Sequence, residues 1–184
     1  MVCKAAGMPW PRAVRLKSDR LVLERLSIEH ADVMVNVLAP RELYRFTGGE
    51  PPSTEELRAR YTRQARGQSE DGAAGWLNWI THPRNGGPPI GFVQVTLHRA
   101  AEGMTADRAW LVTPSAQGHG FATEAAQQVA MWLHSIHVQE LNALIHPEHE
   151  ASARVARRIG MHPKTISHDG KILWRKRLTA TGTR

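Results

Sequence analysis

Between residues 76 and 113 three strand-like runs follow one another across short turns, and that succession constrains the fold more than anything else in the chain. "WLNWITH" (76–82) and "IGFVQVTLHR" (90–99) flank the turn "PRNGGPP", and "AAEGMT" leads into "ADRAWLVT" (106–113). Runs so closely linked meander antiparallel, because a parallel return needs a crossover of a dozen or more residues. Pro114 has no N–H to give a ladder and closes the third run. A crossover then follows. Ala122, Ala125, Ala126, Val129, Trp132, Leu133 and Ile136 recur at helical spacing, and "LNALI" (141–145) reads as a short buried strand. The chain is therefore expected to be α/β, with a mixed, mostly antiparallel sheet holding one central parallel strand–helix–strand unit.

The flanking segments fit the same plan. "RLVLERL" (20–26) reads as a strand, and Ser27 is placed to cap a helix running to about Leu38. Ser53 and Glu56 have capping-box spacing, and Leu57 and Tyr61 mark the buried face of the helix they start. "RGQSEDGAAG" (66–75) reads as a flexible connection. "HPEHEASARVARRIG" holds another helix, stopped by Gly160, and "KTISHDGKILWRKRL" a final hairpin turning at Asp169-Gly170. One domain over 19–178 is expected, between loose tails at 1–18 and 179–184.

Composition narrows the partners. No apolar run approaches a membrane span, and the start of the chain has no secretory core, so no membrane partner is expected. Cys3 is the only cysteine, which excludes an intrachain disulfide and fits a reducing, cytoplasmic setting. The net charge of +7 and pI near 10.3 favour an anionic partner. The basic residues are scattered without the interleaved aromatics of single-strand binders, so no nucleic acid is expected; a polyphosphate cofactor or merely a solvated basic surface is, on a monomer or homodimer.

The place for such an anion is "TPSAQGHGFATEAA" (113–126), where Gly118 and Gly120 flank His119 between a strand and a helix start. A P-loop would need a lysine that this loop lacks. A dinucleotide fingerprint would need glycine at Thr123 and an acidic end to the next strand, which instead runs into His146. "QGHGFA" does match the Q/R-x-x-G-x-G/A signature of the GNAT superfamily of N-acetyltransferases, at Gln117, Gly120 and Ala122. "SDRLVLERLSIEHA", "ADRAWLVTPSAQGHGFATEAA" and "HPEHEASARVARRIGM" resemble, in order, three segments of the branch that includes ribosomal-protein N-terminal acetyltransferases.

That resemblance implies a single GNAT-like domain with helices on both faces of the sheet, and acetyl-coenzyme A as co-substrate. It places the pyrophosphate on the amides of Gln117, Gly118, His119, Gly120, Phe121, Ala122 and Thr123. It also implies a pantetheine arm between two splayed strands, paired with the backbone of Leu111, Val112 and Thr113. His149 stands where the family usually has asparagine and is expected to touch the pantetheine arm or to titrate. Ser152 shares a helix face with Val155 and Ile159, so it is either the acid for the leaving thiolate or a helix cap. The tyrosine that many relatives use for that role has no counterpart here.

Asp107, with His98 at the end of the preceding run, is the candidate base, or else a solvated residue. Arg154, Arg157 and Arg158 occupy the other face of the Ser152 helix and could meet a phosphate or only solvent. His146 and His149 form an H-x-x-H in a loop, poor geometry for zinc, and no metal is expected. Residues 41–75 are where the resemblance places acceptor specificity; their mixed charges leave an amine-bearing small molecule and a protein N-terminus both open. The alternative reading is a non-catalytic acyl-coenzyme A-binding regulatory module.

Overall fold

The computed structural model describes residues 8–166 and 169–178. Eight strands form one sheet: β1 (Leu16–Lys17), β2 (Leu21–Arg25), β3 (Ala74–Pro83), β4 (Gly91–Ala100), β5 (Gly103–Val112), β6 (Val138–Ile145), β7 (His162–Ile166) and β8 (Ile172–Arg177). Their order is β1-β2-β3-β4-β5-β6-β8-β7, and every neighbouring pair is antiparallel except β5 and β6. Four α-helices accompany them among the described residues: α1 (Ala31–Val37), α2 (Thr54–Ala65), α3 (Phe121–Ser135) and α4 (Glu150–Arg158). The expected antiparallel meander is β3–β4–β5, and the expected parallel crossover is β5–α3–β6.

Period-two alternation gives the sheet two cores. Val93, Val95 and Leu97 of β4 join Leu77 and Trp79 of β3 and Leu141, Ala143 and Ile145 of β6 beneath α3 and α4. Ile80, Phe92 and Leu111 face the other way and pack with Leu26, Met34, Leu57 and Tyr61 around α1 and α2. Trp79 is fully buried, stands edge-on to Trp132 of α3 at 5.5 Å, and donates its Nε1–H to the Val14 carbonyl at 2.7 Å.

That last bond marks a departure from the expected N-terminal tail. Residues 10–17 are packed. Ala13 and Leu16 are buried, and the Trp10 ring lies so close over Gly75 that a Cβ there would come within 2.6 Å of it. A two-residue strand carries no readable periodicity, which is why Leu16–Lys17 escapes sequence reasoning. Residues 1–7, with Cys3, and 179–184 lie outside the described residues. Three smaller differences follow. The helix expected from Ser27 begins as a single 3-10 turn, Ile28–His30, before α1; the connection at 66–75 is bridged at Gln68 and Gly75; and β6 starts three residues earlier than its apolar core suggests.

Glu124, in the first turn of α3, ties the start of β2 to the helix. Its carboxylate accepts from the Ser18 hydroxyl (2.7 Å), the Arg20 backbone N–H (2.8 Å) and the Arg20 Nε–H (2.7 Å). Burial alone would raise its pKa, but the bonds from Ser18 and Arg20 outweigh that and hold it below the ordinary carboxylate value. A carboxyl depressed by folding stabilises at pH above its unfolded value and loses that contribution as pH falls through its folded one. Glu124→Gln should therefore cost about 1–2 kcal/mol near neutrality, with Arg20 partly exposed. Thermal unfolding from pH 7 to pH 3 should show the gap between variant and parent closing on the acid side.

Candidate active site

The two central strands part. The β5–β6 ladder ends at Asp107–Asn142, yet β5 stays paired with β4 as far as Val112 and β6 with β8 as far as Ile145. Beyond Asp107 a wedge therefore opens between residues 108–112 and 143–145. Thr113 N–H bonds the Ile90 carbonyl at 2.8 Å, so by antiparallel alternation Phe92–Leu111 is the next hydrogen-bonded pair. Leu111 thus turns its backbone groups to the neighbouring strand, and Thr113 gives its N–H to that strand while its carbonyl accepts the Ala116 N–H at 2.9 Å. The backbone groups of Val112 and Trp110 face the wedge, so of the three residues expected to line it with backbone only Val112 does. Trp110, which alternation could have singled out, is the residue missed. The Val112 carbonyl already accepts the Gln117 side-chain amide at 2.9 Å.

At the open end of the wedge lies the glycine loop. Gly118 and Gly120 both have φ near +80°, the left-handed region where other residues are strained. A Cβ at Gly118 would meet nothing within 4 Å, and one at Gly120 only the Arg20 guanidinium at 3.6 Å, so space lies over both. The helix starts at Phe121 without a side-chain cap. Glu124 N–H is bonded to the Gly120 carbonyl, which leaves the amides of Phe121, Ala122 and Thr123 as the free N–H groups of a helix start. The Gln117 N–H is instead taken by Pro114 in a 3-10 turn, which removes it from the expected amide cradle.

Arg20 was not legible as a site residue. Its NH1 donates to the His119 carbonyl at 3.0 Å, its guanidinium lies over the Phe121 ring at 4.8 Å, and its other nitrogens bind Glu124. It brings positive charge to the loop and fixes the loop's shape together. His119 stacks on Phe121 at 5.7 Å and turns Nδ1 to the Gln117 carbonyl at 2.8 Å.

On the α1–α2 face, Asp107 and His98 are brought together: Nε2 and Oδ2 are 3.0 Å apart, both groups about half exposed. Asn142 sits beside Asp107 across the parallel pair, and its Oδ1 accepts from Arg175 Nε at 3.2 Å, so a polar row crosses the sheet just below the parting. Higher on this face a cavity of about 280 Å³ lies between α2 and β3–β4, lined by Tyr61, Gln64, Asn78, Phe92 and Gln94. The Gln64 Oε1 is buried there without a partner.

Beyond β6, His149 is the residue preceding α4, but its side chain makes no cap bond. Its ring stacks on Phe46 at 4.5 Å, with His146 also against Phe46 at 5.3 Å. Burial, and secondarily the nearby His146, lowers the His149 pKa, so the ring is neutral near pH 7. Ser152 is the third residue of α4, half-buried, and has no side-chain hydrogen bond among the described residues; it does not serve as the cap. Arg154 and Arg158 are exposed, while Arg157 pairs with Glu150 at 3.7 Å and covers Trp174.

Arg108 is the outlier of the region. It is 5% exposed, donates NH2 to the Ala126 carbonyl of α3 at 3.0 Å, and leaves Nε and NH1 without partners. Burial pulls its pKa down to about 10, so it remains charged.

Comparison with known proteins agrees with this geometry. Residues 20–162 match the family model described as an acetyltransferase (GNAT) domain. No curated protein sequence matches the chain. Among solved structures, RimL, a ribosomal L7/L12 alpha-N-protein acetyltransferase in complex with coenzyme A, superposes with a TM-score of 0.76 at 16% identity, covering 91% of this chain and 99% of that one. The microcin C7 self-immunity acetyltransferase MccE, in complex with acetyl-CoA and AMP, gives 0.73 at 12% identity, covering 88% and 94%. A putative GNAT-family acetyltransferase from Bordetella pertussis gives 0.66 at 26% identity, covering 89% and 99%. Parted central strands, an open glycine loop at a helix start and a family match over most of its length lead to one conclusion: the chain belongs to the GNAT family of acetyltransferases.

Proposed function

We propose that the protein is an N-acetyltransferase that passes acetyl from acetyl-coenzyme A to a primary amine by direct attack in a ternary complex. The observation that carries this reading is the wedge between β5 and β6 opening beside an uncapped helix start, room for an extended arm next to an anion site. The open space over Gly118 and Gly120 and the free amides of Phe121 to Thr123 suit a pyrophosphate, with Arg20 adding charge. The exposed backbone edge of Trp110 and Val112 suits a pantetheine arm.

Bound acetyl-coenzyme A supplies a thioester whose C–S bond breaks as the amine nitrogen forms a C–N bond to the same carbon. The chain's part is proton movement and placement. The Asp107–His98 pair takes the proton that the attacking amine must lose. Ser152, its hydroxyl uncommitted, supplies one to the departing thiolate. His149, neutral and held flat against Phe46, positions and does not titrate during turnover. The acceptor is an amine-bearing small molecule or a protein N-terminus, entering over the α1–α2 face. The RimL fold match makes peptides with a free α-amine the first acceptors to try.

Thiol release from acetyl-coenzyme A across a panel of peptides, polyamines and aminoglycosides tests the reading. Binding without release by any amine would favour a regulatory acyl-coenzyme A module instead. Gly120→Val places a branched side chain in a left-handed position over the cradle, and calorimetry should show acetyl-coenzyme A binding lost while the circular dichroism spectrum is kept. Asp107→Asn should lower kcat by about 10²-fold or more with little change in cofactor affinity. Unchanged kcat in that variant would remove the pair from the mechanism.

A further inference from the structure

Glu24, His30 and His82 converge on the far edge of the sheet, on elements the transfer chemistry does not use. Val22 pairs with His82 and Glu24 with Ile80, so Glu24 and His82 share the face that the 3-10 turn Ile28–His30 covers. Glu24 Oε2 lies 3.8 Å from His30 Nε2 and 3.9 Å from His82 Nε2, and one ligand atom from each residue falls within 4.8 Å of the others. The edges of a tetrahedral zinc site are about 3.4 Å, so the two Glu24 distances close with about half an ångström of side-chain adjustment and the widest separation in the set with up to about 1.4 Å.

We propose that Glu24, His30 and His82 form a binding site for a divalent transition metal of the zinc type, with the fourth position left to water. Two imidazoles and a carboxylate are a common donor set for such ions. The His30 imidazole is also held from its far side, as metal-bound histidines are. His30 Nδ1 accepts the Ser27 backbone N–H at 3.0 Å and lies 2.9 Å from the Ser27 hydroxyl, so ligation through Nε2 moves the ring proton to Nδ1 and exchanges the backbone bond for one donated to the hydroxyl oxygen. His82 Nε2 is buried without a hydrogen-bond partner. Glu24 is steadied through its other oxygen, Oε1, by Arg15 at 3.1 Å.

The geometry departs from the sequence expectation of no metal, which rested on the H-x-x-H at His146 and His149. The three ligands come from β2, the turn before α1 and the end of β3, separated by 6 and 52 positions in sequence, which no spacing motif describes. A bound ion would fasten the start of α1 to the sheet edge.

The test uses the untagged full-length chain, stripped with chelator and dialysed. Zn²⁺ titrated by calorimetry should bind one equivalent, and Co²⁺ should give the visible absorption of a four-coordinate site. His82→Gln and Glu24→Gln should each weaken binding at least about 10-fold, with His146→Gln unchanged. Circular dichroism establishes that the variants fold; if His82→Gln does not, Glu24→Gln, equal in size and partly exposed, carries the same expectation. Absence of saturable one-to-one binding overturns the proposal. So does binding that survives in the folded Glu24 and His82 variants, since it would then lie at other histidines.

Discussion

Everything in the site depends on β5 parting from β6 while each keeps its other neighbour. A strand pair that simply frayed would leave unpaired backbone at a sheet end and nothing to hold it in place. Here β4 grips β5 to Val112 and β8 grips β6 to Ile145, so the wedge has two rigid walls. Gly91 makes the grip possible: a Cβ there would lie far inside contact distance of the Leu111 carbonyl, so the two backbones meet where no side chain fits. The wall that is drawn tight on one side is the wall that is bare on the other.

The rigid walls alone would not hold an anion, and the second ingredient comes from a distant part of the chain. Ser18 and Arg20 precede β2, yet they seize Glu124 just beyond the glycine turn and the His119 carbonyl within it. Two left-handed glycines would otherwise leave the loop free to take many shapes. The clamp exchanges that freedom for one conformation and adds a guanidinium next to the open amides.

Much of this was legible in sequence, and what was not has identifiable causes. Meander, crossover, glycine loop and the Ser53–Glu56 capping box rest on local spacing and appear as read, because each is set by neighbours within a few residues. The packed stretch at 10–17, the Arg20 clamp and the Glu24–His30–His82 cluster all depend on contacts between segments far apart in the chain, for which one sequence carries no pattern. The backbone directions at Leu111 and Thr113 show a third kind of limit. Resemblance identified the strand, but alternation decides which of its residues faces the wedge. Asp107 and His98 are the intermediate case: each stood out singly, and only strand register brings them within 3.0 Å.

The Phe46–His149 stack ties two parts that would otherwise vary independently. Phe46 belongs to the segment between α1 and α2, and His149 leads into α4 beside the wedge. A flat contact at 4.5 Å makes those two segments a single mechanical unit. The protein is thereby less modular than its architecture implies. A change at Phe46 in this chain is therefore also a change at the start of α4.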